Sequence, residues 1–243
     1  MKRALLIWLW LLAAVGAAGA QDFVRERKWA DEIVPGVVVG DPVYLETPRG
    51  HHKFLTLFTP ADPARAVIVV HGLGVHPDWG LVGTLRSALA DRGYTTLSIQ
   101  MPVLAADARA EDYPRTFPHA AQRIAAAVAF LKARGYSRIA IVSHSMGSRM
   151  ALAYLTGKPD PAVRAWASLG IPIERYPRLS VPILDLMGEN DLPAVVRGAP
   201  RRAATLGAPG SKQVVIAHAD HFFTGHEDAM VEAVAGFLDA TLK

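Results

Sequence analysis

The sequence predicts an α/β domain, with a mostly parallel central sheet and helices on both faces. Three observations predict it. The run Ala66-Val-Ile-Val-Val70 is continuously apolar and β-branched, the composition of a strand buried on both faces. Such runs alternate along the chain with segments of helical spacing, the order that builds parallel sheets with crossover helices. Glycine or proline punctuates the joins, as at Gly93, Pro102 and Gly135.

The elements follow in order. Residues 1–20 read as a secretory signal: Lys2 and Arg3, an apolar run from Ala4 to Val15, then Ala18-Gly19-Ala20 before Gln21. The rival reading is a retained anchor, but the run is short against the roughly 20 apolar residues a span needs. The expectation is an exported bacterial protein, periplasmic or secreted, with no stable membrane insertion after cleavage. Residues 21–243 would then form one domain, a length that can bury a sizeable core.

Asp22 to Pro35 reads as a loosely packed lead-in. Val43 to Thr47 and Lys53 to Phe58 pattern as an antiparallel hairpin about a Pro48-Arg49-Gly50 turn. Further strands are expected at 66–70, 95–101, 138–142, 163–169, 181–187 and 213–217. Helices are expected at 81–92, 118–134, 146–155, 193–206 and 227–242. Gly170 to Ser180 is too short to insert a helical cap, so an open site and accessible esters are expected. The longest irregular connection, Pro102 to Phe117, either borders the pocket with polar groups or is a surface loop.

Charge narrows little. The 26 Lys and Arg against 22 Asp and Glu give +4, of which Lys2 and Arg3 supply half. The rest are scattered, with only Arg25-Glu26-Arg27-Lys28 and Arg201-Arg202 standing out, and each reads as a solvated face rather than a nucleic-acid or lipid site. Cysteine is absent, which excludes a thiol nucleophile, thiolate zinc sites, disulfides and lipid attachment to an N-terminal cysteine.

The chemistry is concentrated in Ile139-Ala-Ile-Val-Ser143-His144-Ser145-Met146-Gly147. A buried strand runs into a helix with a serine at the corner, the geometry of an exposed, strained nucleophile. Small residues are needed two before and two after it, where helix and strand pass closely. Gly147 fits fully, and Ser143 replaces the more usual glycine.

Such a serine needs a base, and a carboxylate to orient the base. Downstream lie His218, His221 and His226; His221 is preferred, on the loop after the last strand. For the acid, Asp191 just past a strand end is preferred over Asp185 within that strand, with Glu189 and Asp220 as further alternatives. Backbone N–H groups of Met146 and Leu73 are the expected oxyanion-hole donors, Leu73 because Gly72 and Gly74 let that loop approach a substrate. His71 reads as a structural histidine. His76, Trp79, Met101 and Phe222 are expected on the pocket rim.

His71-Gly72-Leu73-Gly74, the Ser145 segment, Gly188-Glu189-Asn190-Asp191 and Asp220-His221-Phe222-Phe223 together resemble the α/β-hydrolase superfamily, over nearly all of residues 21–243. Residues His76 to Trp79 and Ser98 to Leu104 further resemble a bacterial α/β-hydrolase family of unknown function. The resemblance implies the α/β-hydrolase fold, a Ser145–Asp191–His221 triad, and ester or related acyl hydrolysis without a cofactor or metal. A small-molecule acyl substrate is the implied partner. Two other readings stand beside it: a non-catalytic binding or assembly protein of the cell envelope, and a metal-dependent hydrolase. The last lacks any helical histidine-pair spacing.

Overall fold

The computed structural model describes residues 21–47 and 52–243, so the expected signal and the Pro48-Arg49-Gly50 turn lie outside the described residues. Among these residues eight strands form one sheet: β1 (Asp41–Glu46), β2 (Lys53–Thr59), β3 (Arg65–Val70), β4 (Thr95–Ile99), β5 (Arg138–His144), β6 (Val163–Leu169), β7 (Ile183–Asn190) and β8 (Lys212–Asp220). Their order across the sheet is β1-β2-β4-β3-β5-β6-β7-β8. The pairs β1/β2 and β2/β4 are antiparallel and all others parallel. This is the α/β-hydrolase fold, with no lid among the described residues.

Among the described residues, six α-helices accompany the sheet: α1 (Phe23–Ile33), α2 (Gly80–Asp91), α3 (Phe117–Lys132), α4 (Met146–Leu155), α5 (Pro193–Ala203) and α6 (Glu227–Thr241). None among the described residues is long and apolar enough to cross a membrane.

The continuous apolar runs explain the two-sided core. Successive strand residues point to opposite faces. Ala66, Ile68 and Val70 of β3 therefore join Ile124, Val128 and Met150 of α3 and α4, while Val67 and Val69 join Leu85, Val234 and Leu238 of α2 and α6. β5 repeats the division, with Ile139 and Ile141 on the first face and Ala140 and Val142 on the second. Each fully buried large aliphatic side chain contributes about 1.5–3 kcal/mol. That burial fixes the central strands, and their C-terminal ends carry the site.

The structure corrects the expected lead-in: Asp22 to Pro35 is mostly the helix α1. Asp22 caps it, its Oδ1 accepting the Arg25 N–H at 2.9 Å. Its buried stripe is only Glu26 and Ala30, too narrow and too polar to read as an amphipathic face. Glu26 is buried because it pairs with buried Arg123 of α3 at 2.9 Å, a partner 97 positions away. The last strand is longer than expected, reaching Asp220 past a left-handed His218 (φ 62°), so His221 follows it directly.

Candidate active site

β5 and α4 meet at Ser145, whose backbone (φ 55°, ψ −120°) is a conformation L-residues rarely adopt. The corner exists because α4 packs back against the β3 end. A Cβ at Gly147 would stand 2.2 Å from the His71 carbonyl oxygen, so only glycine fits. Ser143 is accommodated and used: its buried Oγ accepts the Trp166 indole N–H at 2.8 Å and donates to Ser148 Oγ at 3.0 Å.

The three residues expected to act together are in one hydrogen-bonded line. His221 Nε2 lies 2.9 Å from Ser145 Oγ, and His221 Nδ1 lies 2.5 Å from Asp191 Oδ1. A carboxylate accepts, so Nδ1 carries the proton and Nε2 is free to accept from the serine hydroxyl. Asp191 Oδ1 also accepts the Leu192 N–H at 2.6 Å, which holds the carboxylate in place. Asp185 is occupied elsewhere. It is fully buried, bridged by Arg202 Nε at 3.0–3.1 Å and bonded to the Tyr176 hydroxyl and the Gln213 amide. His218 is exposed beside Glu189, and His226 stands at the N-cap position of α6 without a capping side-chain bond.

Met146 opens α4, so its N–H is among those a helix leaves without an internal partner. The Leu73 loop approaches from the β3 end: a Cβ on Gly72 would lie 3.4 Å from Ser145 Cβ. His71 is indeed structural. Its Nδ1–H donates to the Gly72 carbonyl at 2.9 Å and its Nε2 accepts the Met101 N–H at 2.8 Å.

Of the expected rim, Phe222 and Trp79 stand together beside His221. Their rings are 5.5 Å apart and edge-to-face, Phe222 lies 5.1 Å from the His221 ring, and it is 46 % exposed. Met101 is a correction: it is fully buried in the core on the α3/α4 face, because β4 delivers it inward before the chain turns. His76 turns its ring to Trp29 of α1, 5.8 Å away. The 102–117 connection is partly ordered into a 3-10 helix, Ala110–Thr116, anchored by buried Tyr113, whose hydroxyl accepts the Leu104 N–H.

Two site residues escaped the sequence reading. His144, fully buried, donates from Nε2 to the His221 carbonyl at 2.9 Å and so ties the histidine loop to the corner. Its only sequence signal was its place between two serines. Gly170, left-handed at φ 57°, ends β6 under the His–Asp pair, where a Cβ would meet His221 Nδ1 at 3.0 Å and Asp191 Oδ2 at 3.2 Å. A glycine immediately after a central strand was the available signal. Gly170→Ala is expected to lower kcat about tenfold or more by displacing that pair, since misplacements approaching 1 Å cost on the order of 10²-fold. Steady-state kinetics checks this.

Burial pushes His71 and His144 down to about 3, His144 also through its neighbour His221. Below the ordinary histidine value near 6.5 the unfolded chain takes up these protons and the folded chain does not. Each histidine therefore removes stability as pH falls from about 6.5 towards 3, at about 1.4 kcal/mol per pH unit. Urea denaturation between about pH 7 and 4 measures the slope, and His144→Gln should reduce it by close to one proton.

The geometry and topology define the α/β-hydrolase fold, with no lid among the described residues. Residues 46–121 match the family described as Protein of unknown function (DUF3530). No curated protein matches the sequence. Among solved structures, a dienelactone hydrolase from Anabaena variabilis is similar at TM-score 0.68 and 21 % identity, over 83 % of this chain and 97 % of that one. A serine hydrolase without a lid from Xanthomonas campestris has TM-score 0.67 and 17 % identity, over 84 % and 95 %. Est1E from Butyrivibrio proteoclasticus has TM-score 0.63 and 16 % identity, over 81 % and 97 %.

Proposed function

We propose that the protein is a serine hydrolase that cleaves a carboxylic ester or related acyl bond through an acyl-enzyme on Ser145. The observation that carries this reading is the unbroken line from Ser145 Oγ through His221 to Asp191. His221 Nε2 takes the hydroxyl proton as Oγ attacks the acyl carbon. Asp191 holds the tautomer and stabilises the imidazolium that forms. The oxyanion is received by the N–H groups of Leu73 and Met146. His221 then returns the proton to the departing alcohol, and a water activated by the same imidazole releases the acid.

Trp79 and Phe222 border the side on which His221 stands and would contact the substrate there. The similarity to the dienelactone hydrolase and serine hydrolase structures supports the same chemistry. No cofactor or metal enters this scheme. Residues 21–243 are read as the single catalytic domain, released beyond the inner membrane once the 1–20 leader is removed. Labelling by a fluorophosphonate tests the reading: wild type should react and Ser145→Ala should not. A well-folded wild type that fails to label would favour a binding protein of the envelope instead.

A further inference from the structure

Helix α1 lies outside the family-matched segment, yet it grips the loop that carries Leu73. Arg25 Nη2 donates to the Gly74 carbonyl at 3.2 Å, and Nη1 donates to the Leu104 carbonyl at 2.9 Å. The guanidinium is stacked 4.4 Å over the Trp29 ring, and Trp29 meets His76 further along the same loop. The Asp22 N–H bonds to the Val103 carbonyl at 2.8 Å, so the helix start is also fastened to the 101–104 segment.

Leu73 thus sits between two anchored peptide groups. Its N–H shares one planar trans unit with the Gly72 carbonyl, so fixing that carbonyl aims the N–H the opposite way. His71 Nδ1–H fixes it from inside. His71 is itself set by the Met101 N–H, whose peptide partner, the Gln100 carbonyl, accepts from Arg123 Nη1 at 3.0 Å. Arg123 pairs with Glu26, again on α1. The inner route therefore runs from Glu26 through Arg123 and His71 to the Leu73 peptide. The outer route is Arg25 on Gly74, a left-handed residue (φ 65°).

We propose that α1 braces the oxyanion loop and that Arg25 is a positioning residue for hydrolysis, holding the Leu73 N–H where the tetrahedral oxygen forms. This rests on the serine-hydrolase reading with Leu73 as donor. A brace of this kind acts on the transition state and leaves ground-state binding nearly untouched.

The test compares Arg25→Ala and Arg25→Lys with wild type. It measures p-nitrophenyl acetate hydrolysis, inhibition by a trifluoromethyl ketone that forms a tetrahedral oxyanion on serine, and the thermal midpoint. Arg25→Ala is expected to lose about tenfold or more in kcat, a part of the roughly 10²–10³ that removing a donor costs, with KM within about twofold. The ketone should bind more weakly by the same factor as kcat/KM. Arg25→Lys, able to hold one of the two carbonyls, should recover part of kcat. Unchanged kcat and ketone affinity in a wild type that labels and turns over would overturn the proposal, whatever happens to the thermal midpoint. Should Arg25→Ala fail to fold, Arg25→Lys decides: reduced kcat at retained KM and midpoint supports the brace, and wild-type kcat overturns it. A wild type inert to both ester and fluorophosphonate is a separate outcome, which removes the hydrolase reading and the brace together.

Discussion

Ser145→Ala should abolish fluorophosphonate labelling and lower kcat by a factor on the order of 10⁶, as removal of the nucleophile does in other serine triads. The fold should survive. Ser145 is only partly buried, and its own backbone N–H bond to the Leu169 carbonyl, at 2.8 Å, does not involve the hydroxyl. Relief of a positive φ is not expected either, because alanine carries the same Cβ. A thermal midpoint close to wild type, together with lost turnover, is the informative combination. Retention of more than about one hundredth of the activity would point to a different nucleophile and sink the assignment.

The second large effect separates two aspartates that the sequence left in competition. Asp191→Asn should cost about 10⁴ in kcat, because an amide that donates to His221 Nδ1 imposes the wrong tautomer. Its stability cost should be small. Asp185→Asn should do the reverse: it leaves the fully buried Arg202 guanidinium without its counter-charge and is expected to destabilise by about 3–5 kcal/mol. Its surviving folded fraction should turn over near the wild-type rate. Kinetics and denaturation on the two variants read both effects, and an exchange of the outcomes would make Asp185 the acid.

What could be read from the sequence follows the range of the forces involved. Strands β3 and β5 were legible because burial on both faces writes itself as an uninterrupted apolar run, Ala66 to Val70 and Ile139 to Val142. The Ser145 corner was legible because it demands a small residue at a fixed offset, and Gly147 stands there. His221 and Asp191 were legible through topology, since both follow strands whose ends face the serine. The missed features depend on partners distant in the chain. Glu26 looked like a surface charge until Arg123, 97 positions on, was beside it. Met101 was expected on the rim, but its side chain belongs to the face lined by α3 and α4. His144 acts on the His221 carbonyl, 77 positions away, and no local pattern announces such a bond.

The register of the sheet carries a consequence for how this protein could diversify. Val70 at the end of β3 is paired side by side with Ser143 near the end of β5. The two proposed donors therefore issue from adjacent strands, whose separation of about 4.8 Å is dictated by backbone hydrogen bonding. An oxygen seated between them is gauged by the sheet lattice and by the braced Leu73 loop, neither of which depends on the rings at the mouth. Aromatic rings at the mouth can accordingly be traded over generations, changing the ester that is welcomed, while the aperture that receives the negative charge keeps its dimension.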